Sequence, residues 1–339
     1  MELAATAYPQ NQPLRSLYFG GGTPSLLNPD QISRLISRSQ ALFRHADPIE
    51  ITLEANPGTV SLDSLTGYYQ AGVTRLSLGA QSFDDRLLQT LGRRHTAAET
   101  RNAFQLAQQA GFSSIGLDLI CGLPDQSEED WQQDLAAALA LAPDHLSIYG
   151  LTVEEGTPFA KRYPAESDTL PDHDLSARML EEADRILTAD GYRHYEIANF
   201  ARPGCRSQHN CGYWQRDGYL GVGPGAHSFL RQGWGVRWGN QSEFDIWAAA
   251  LGNNQLAVME QQELTREDAL SEYLFLGLRM ADGISLDGFA MEFGERLEER
   301  FADTVQHLQQ AGLLTCSPDR LALTKRGMLL SNQVFVRFI

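Results

Sequence analysis

The sequence predicts an α/β protein in which a partial, TIM-like (β/α) barrel is followed by a smaller helical module of the winged-helix type. Short β-rich runs alternate with amphipathic helical patterns along roughly the first 200 of the 339 residues. Polar motifs follow several of these runs, at the strand ends where parallel sheets and barrels bind ligands. From about residue 262 the pattern becomes helical and ends in a two-stranded wing.

The predicted barrel is built from strands and helices in alternation. The strands are expected at 17–19, 50–54, 75–79, 115–120 and 145–149. The helices are expected at 29–44, 61–71, 96–110 and 127–141, where apolar residues recur at spacings of three and four. Capping residues such as Asn28 and Ser127 precede two of these helices. This order is typical of a parallel sheet or an open barrel.

Three segments make up the predicted chain. A helix at 172–190 and a strand at 192–197 complete the barrel, which occupies 1–200. The segment 201–260 is rich in Gly, Trp and Tyr and shows little periodicity, so it is predicted as a loop region that covers a ligand. Residues 261–339 form the winged-helix-like module, with a strand around 320–323. Its acidity argues against DNA binding and favours packing or partner contact.

Composition excludes several classes of function. The formal net charge is -16 and the only lysines are Lys161 and Lys325, so a nucleic-acid partner is not expected. No apolar run approaches the roughly 20 residues that span a bilayer, and the N-terminus lacks a signal-like segment, so a cytoplasmic protein is expected. Four scattered cysteines do not suggest a disulfide scaffold.

Polar residues at the ends of the predicted strands mark a candidate ligand pocket. Glycines 20–22 follow the first strand and allow a backbone turn to wrap closely around a charged ligand. Glu54, Gln81, Arg93 and Asp118 follow or end later strands, and together they could hold a zwitterionic amino acid and a ribose. The alternative is that Arg93 and Asp118 are surface ion-pair partners.

These motifs resemble those of radical S-adenosylmethionine proteins, over nearly the whole chain. The resemblance rests on Gly20-Gly21-Gly22-Thr23-Pro24, Glu54-Ala55-Asn56-Pro57, Gln81-Ser82-Phe83, Leu91-Gly92-Arg93-Arg94 and Asp118-Leu119-Ile120-Cys121-Gly122-Leu123-Pro124. Within the superfamily they are similar to the branch that contains oxygen-independent coproporphyrinogen III dehydrogenase (HemN) and its heme-chaperone relative HemW. The resemblance implies that S-adenosylmethionine would be contacted by Gly21, Gly22, Thr23, Glu54, Gln81, Arg93 and Asp118.

A second signature favours the heme-chaperone side of that branch. The run His209-Asn210-Cys211-Gly212-Tyr213-Trp214 is similar to the His-Asn-x-x-Tyr-Trp segment of HemW-type heme chaperones. The resemblance implies heme bound near His209, Asn210, Tyr213 and Trp214, with His209 as the candidate iron ligand. It also implies heme transfer to an apo-hemoprotein client, and it leaves a membrane-associated client open.

The N-terminus departs from the family pattern. The family carries a Cys-x-x-x-Cys-x-x-Cys loop after its first barrel strand, whose three thiolates hold a 4Fe-4S cluster. In this sequence no cysteine precedes Cys121, so the first strand and the cluster ligands are expected to be missing. Two alternatives follow: a radical S-adenosylmethionine oxidoreductase of the HemN type whose cluster segment lies outside this sequence, and a remnant that binds neither ligand.

A metal site built from other residues is a further alternative. Cys205 and Cys211 flank His209, and Cys316 or His227 would have to supply a fourth ligand. The spacing matches no strong template, and buried thiols are common in protein cores.

Overall fold

The computed structural model describes residues 1–6, 8, 12–164 and 167–339. The chain divides into two compact units. The half-barrel unit comprises Ser16–Ile36 and Pro48–Arg206. The C-terminal unit comprises Met1–Arg15, Ser37–Asp47 and Ser207–Ile339. No helix in the described part of the chain is long and apolar enough to cross a lipid bilayer.

The main sheet has seven strands in the order β1-β2-β3-β4-β5-β7-β6. Strands β2 to β5 pair in parallel, whereas β7 is antiparallel to both β5 and β6. The strands are β1 Leu14–Phe19, β2 His45–Ala55, β3 Arg75–Gln81, β4 Ile115–Cys121, β5 His145–Gly150, β6 Arg193–Glu196 and β7 Asn199–Ala201. The parallel half-barrel predicted from the strand and helix alternation is therefore confirmed.

One short helix precedes these strands and the others lie between them, with boundaries that follow local capping chemistry. They are α1 Glu2–Ala5, α2 Pro29–Leu42, α3 Leu62–Gln70, α4 Asp85–Thr90, α5 Ala97–Gln109, α6 Glu128–Ala140, α7 Pro158–Arg162 and α8 His173–Ala189. Thr96 caps α5 in a reciprocal capping box with Glu99, and Ser127 does the same for α6 with Asp130. These caps explain why the helix starts could be predicted closely.

The core of the half-barrel unit lies between the sheet and its helices. Every residue of β3 is buried, as expected for a central strand that is covered on both faces. Trp131 of α6 is fully buried, and its indole N–H donates to the carbonyl of Met179 in α8 at 2.8 Å. This bond satisfies the one polar group of a large core side chain.

The C-terminal unit contains more regular structure than the sequence suggested. Its elements are α9 Gln208–Trp214, β8 His227–Leu230, β9 Val236–Asn240, α10 Phe244–Gly252, β10 Val258–Glu263, α11 Arg266–Gly277, β11 Ile284–Ser285, α12 Leu286–Phe293, α13 Leu297–Arg300, α14 Ala302–Gln310, β12 Leu314–Cys316, β13 Arg320–Leu323, α15 Lys325–Leu329 and α16 Ser331–Phe335. The segment 201–260, predicted as a loop region, contains two helices and an antiparallel sheet of β10, β9 and β8. These strands escaped prediction because they are short, and the register of β10 shifts between Val258 and Glu260.

The final module has the predicted helical character and wing. Strands β12 and β13 form an antiparallel hairpin, and β11 adds to its other side to give the order β11-β13-β12. Helices α11, α12 and α14 supply the buried apolar face, including Leu274 and Phe289. Strand β11 has only two residues, which is too short for any alternation to reveal it.

Candidate functional site

A polar pocket of about 360 Å³ lies in the half-barrel unit, at the strand ends where the sequence motifs fall. It is lined by Gly22, Thr23, Pro24, Glu54, Ala55, Asn56, Ser77, Gly79, Gln81, Arg93, Asp118 and Tyr149. Six of the seven residues proposed to contact S-adenosylmethionine are in this lining. The seventh, Gly21, donates its backbone N–H to a carboxylate oxygen of Glu54 at 3.2 Å.

The first carboxylate of the pocket, Glu54, is held by its neighbours on the first strand and turn. The hydroxyl of Tyr18 donates to Glu54 Oε1 at 2.5 Å. Burial, reinforced by the Glu54 charge, raises the pKa of Tyr18 well above its usual range, so this hydroxyl stays a donor. A Cβ at Gly20 would overlap the Tyr18 ring and come within 3.0 Å of Glu54 Oε1. Glycine at this turn therefore leaves room for the pair.

The second carboxylate, Asp118, sits among hydroxyl groups of the adjacent strands. Ser77 Oγ on β3 lies 3.1 Å from both carboxylate oxygens, and Ser147 on β5 also hydrogen-bonds to this side chain. Burial raises the pKa of Asp118, and the two serine hydrogen bonds oppose that rise. The alternative that Asp118 and Arg93 are ordinary surface partners does not fit, because both line the pocket.

Arg93 and Gln81 complete the polar wall. Arg93 Nη1 donates to Asn56 Oδ1 at 3.5 Å, and burial lowers the pKa of Arg93 while the charge of Asp118 acts in the opposite direction. Gln81 ends β3 with a left-handed backbone (φ 67°) and is buried. A Cβ at Gly79 would lie 2.9 Å from Gln81 Nε2, so glycine makes space for that amide. A left-handed glutamine at a pocket wall is a conformation that costs energy and is often found at functional sites.

The charges of this wall define the ligands it suits. Two carboxylates face one guanidinium, which favours a ligand with an excess of positive charge that also carries a carboxylate for Arg93. The backbone turn at Gly21 and Gly22 is open to further approach, since a Cβ at either position would meet no atom within 4 Å. Sequence reasoning missed Ser77 and Tyr149, which carry no motif and are recognisable only by their place on inward-facing strand positions.

The residues of the second signature lie on the short helix α9 of the C-terminal unit. The rings of His209 and Tyr213 make an edge contact with centroids 4.7 Å apart, and Tyr213 contacts Tyr219 in the same way at 4.6 Å. Burial lowers the pKa of His209 to about 4, so its imidazole is neutral at physiological pH. The sequence-predicted His209 therefore sits beside aromatic side chains, which the apolar surface of a porphyrin requires.

The other two residues of this signature, Asn210 and Trp214, lie on the same helix. The backbone N–H of Asn210 donates to the capping hydroxyl of Ser207 at 3.2 Å, which fixes the start of α9. Trp214 ends the helix, with the Arg279 guanidinium 4.1 Å from its ring centroid. Trp214 also lines a second cavity of about 360 Å³ within the C-terminal unit. The structure thus places His209, Tyr213 and Trp214 on one helix, and Trp214 borders this cavity.

The cysteines do not assemble a metal centre. Among the residues that the structure describes, no group of three or more His, Cys, Asp or Glu side chains is placed to hold a metal ion. Burial raises the pKa of the Cys121 thiol to about 12, so this thiol is a core side chain and not a thiolate ligand. These cysteines do not fit a 4Fe-4S cluster.

Comparison with known proteins defines the class. A family model described as the radical SAM superfamily matches residues 1–138, and one described as the HemN C-terminal domain matches residues 264–330. The structure of Escherichia coli coproporphyrinogen III oxidase (HemN), a radical SAM enzyme, aligns with a TM-score of 0.83 over 99% of this chain and 81% of that chain, at 24% identity. The fold is thus that of a HemN-like radical SAM protein.

Sequence relatives narrow the class to one family. The heme chaperone HemW of Bacillus subtilis is 34% identical over 340 residues, which cover 100% of this chain and 89% of the relative. The heme chaperone HemW of Escherichia coli is 44% identical over 221 residues, which cover 65% of this chain and 57% of the relative. The chain belongs to the HemW family.

Proposed function

We propose that this protein is a heme chaperone, which binds heme at the α9 segment and transfers it to an apo-hemoprotein. The observation that carries the proposal is His209, whose neutral imidazole lies in an aromatic setting on α9. Neutral imidazole is a common axial ligand of heme iron, and Tyr213 and Trp214 supply apolar contact area for the macrocycle. The family relationship to proteins named heme chaperones supports the same function.

Heme binding is tested by titrating hemin into the purified protein and following the Soret band. His209→Ala is expected to shift the Soret maximum and weaken binding at least tenfold, because the iron loses its protein ligand. Trp214→Ala is expected to weaken binding without changing the band position, since it removes packing only. His307→Ala, an exposed histidine on α14 of the same unit, is the matched control. No spectral change at micromolar hemin would overturn the proposal.

Transfer is a separate step and needs its own measurement. The heme-loaded protein is mixed with the apo-form of a b-type hemoprotein, and the acceptor spectrum is followed by stopped flow. Direct transfer predicts a rate that rises with acceptor concentration, because a complex of the two proteins must form. A rate independent of acceptor concentration would mean passive release, and the chaperone function would fail while heme binding stood.

We also propose that the half-barrel pocket holds S-adenosylmethionine. Glu54 and Asp118 would balance its positive charges, Arg93 would pair with its carboxylate, and the Gly21-Gly22 turn would approach it by backbone. The described cysteines do not fit a 4Fe-4S cluster, so the function proposed for this pocket is ligand binding alone.

The net charge of the pocket gives the sharpest test of this ligand. S-adenosylmethionine carries a sulfonium cation that S-adenosylhomocysteine lacks, so the two carboxylates should favour the former. Calorimetry is expected to show tighter binding of S-adenosylmethionine, and Asp118→Asn is expected to reduce that preference. The exposed Asp47→Asn serves as the control. Equal affinity of both ligands for the unmodified protein would refute the assignment of the carboxylates.

A further inference from the structure

Helix α10 is apolar in composition although it lies at the protein surface. Its sequence is FDIWAAALG, in which seven of the nine residues are apolar, yet none of the nine is buried. A helix that is apolar around its circumference is normally found in a protein interior. Phe244 is 64% exposed and Ile246 is 54% exposed, so two large apolar side chains of α10 face solvent.

The helix protrudes from the connection between two paired strands. β9 and β10 are antiparallel neighbours, and the backbone N–H of Gln241 donates to the carbonyl of Ala257 at 2.7 Å, which closes the base of the protrusion. At its far end the chain reverses through Asn254, which has a left-handed backbone, and Gln255 N–H donates to the carbonyl of Ala250 at 3.0 Å. Backbone hydrogen bonds thus fix both ends of this segment, while its large apolar side chains Phe244 and Ile246 remain exposed to solvent.

Further exposed apolar residues lie at the C-terminal end of α10 and directly after it. Leu251 is 36% exposed, Leu256 is 39% exposed and Met259 is 58% exposed. We call the set Phe244, Ile246, Leu251, Leu256 and Met259 the α10 surface. Five large apolar side chains concentrated within sixteen residues, from 244 to 259, exceed the scattered single exposures that are normal on protein surfaces.

The charged residues next to the α10 surface in the sequence all have one sign. From Trp238 to Thr265 the sequence contains no Lys, Arg or His. The charged residues of this stretch are four exposed acids, Glu243, Asp245, Glu260 and Glu263. Within this stretch of the chain, the α10 surface is therefore accompanied by acidic residues and by no basic ones.

The negative charge of these acidic residues favours some binding partners of the α10 surface over others. A second copy of the chain would bring the same acidic residues together, which costs free energy through like-charge repulsion. An anionic bilayer would repel these residues for the same reason. A polypeptide whose apolar side chains are flanked by Lys and Arg is complementary to this surface, because it can cover the apolar side chains and pair its cations with the acidic residues.

We propose that the α10 surface docks a partner protein through an amphipathic helix with an apolar face and a basic margin. Such a helix can pack its apolar face against Phe244 and Ile246 while its cations face Glu243, Asp245 and Glu260. The proposal does not rest on heme or S-adenosylmethionine binding, because it uses none of the residues of either site.

The test uses a defined probe. A fluorescein-labelled amphipathic helix of leucine and lysine is titrated with the full chain and followed by anisotropy, beside a matched helix in which glutamate replaces every lysine. The lysine helix is expected to bind, with an affinity that falls as salt rises, and the glutamate helix is expected not to bind. Equal binding of both helices would overturn the proposal.

Two double variants decide whether the binding occurs at the α10 surface. Phe244→Ser with Ile246→Ser is expected to weaken binding of the lysine helix about tenfold or more. Met291→Ser with Ile339→Ser removes two apolar side chains that are 87% and 80% exposed elsewhere, and it is expected to change nothing. Because all four side chains are exposed, both variants should keep the melting temperature of the unmodified protein, and equal losses in both would overturn the proposal.

Other occupants give distinct results that also contradict the proposal. Sedimentation that shows a dimer, dissolved by Phe244→Ser with Ile246→Ser, would assign the surface to self-association. Flotation with vesicles of phosphatidylcholine and phosphatidylserine, lost in the same variant, would assign it to a lipid surface. The expected result is a monomer in the first measurement and no flotation in the second.

Discussion

Asp134→Asn is expected to change how the stability of this protein depends on pH. Asp134 lies on α6 with only 1% of its surface exposed. Its carboxylate accepts hydrogen bonds from Ser82 Oγ at 2.8 and 3.0 Å, from the Phe83 N–H at 2.5 Å and from Gln126 Nε2 at 3.5 Å. It therefore anchors the turn that follows Gln81 at the wall of the pocket. Burial outweighs these bonds and raises the pKa of Asp134 to about 6 from 3.8.

The sign and size of the effect follow from that pKa. Because the folded state holds the proton more tightly than the unfolded state, the contribution of Asp134 to stability is largest at low pH and is lost as pH rises from about 4 to about 6. Between pH 4.5 and 7.5 the loss integrates to about 2 kcal/mol. The free energy of unfolding of the unmodified protein should therefore fall relative to Asp134→Asn by about that amount across this range.

Urea denaturation at a series of pH values measures this difference, and a neighbouring carboxylate supplies the control. Asp130, on the same helix, has a pKa lowered by the Ser127 N–H and by Arg86. Its stabilising contribution is present above about pH 4 and is lost only below that pH, so the difference between the unmodified protein and Asp130→Asn should stay flat from pH 4.5 to 7.5. A flat difference for Asp134→Asn as well would refute the raised pKa and its cause.

Three further predictions concern the pocket, the core and α9. Gly79→Ala places a Cβ 2.9 Å from Gln81 Nε2, so S-adenosylmethionine should bind at least tenfold more weakly by calorimetry while the fold persists by circular dichroism. Trp131→Ala empties a fully buried site and strips the Met179 carbonyl of its donor, so denaturation should show a loss of about 3–5 kcal/mol. Because the pKa of His209 is lowered to about 4, its contribution to heme affinity should be constant from pH 5 to 8, and a decline centred near 6.5 would contradict the burial of this ring.

Much of the half-barrel could be predicted because its signals are local. The capping boxes at Thr96 and Ser127 are contained within four residues each, so they mark helix starts without knowledge of the fold. Strand β10 shows the opposite case. Its sequence VMEQQE is largely exposed and polar, and its partner β9 is separated from it by α10. Pairing of that kind depends on the folded C-terminal unit and leaves no periodic pattern in the sequence.

Some residues of the pocket could likewise be predicted from sequence motifs, whereas the roles of others depend on contacts in the folded protein. Glu54, Gln81 and Asp118 could be identified because each belongs to a short sequence motif on or just before the end of a strand of the main sheet. Asn56 was part of one motif but was not predicted as a ligand-contacting residue, and its role as the acceptor for Arg93 appears only in three dimensions. The α10 surface likewise could not be predicted, because apolar residues at helical spacing normally indicate core.

The strand pairing of the half-barrel explains why Ser77 and Ser147, which belong to no sequence motif, lie beside Asp118. Parallel pairing places Asp118 of β4 opposite Ser147 of β5. It also places Ser77 of β3 opposite Gly116, which is two residues before Asp118 on β4. Alternate residues of a strand face the same side of the sheet, so an inward Asp118 fixes which positions of β3 and β5 also face inward. A buried carboxylate needs hydrogen-bond donors, since burial without them disfavours its charge. The serines at those positions meet that need, while Asp118 itself lines the pocket.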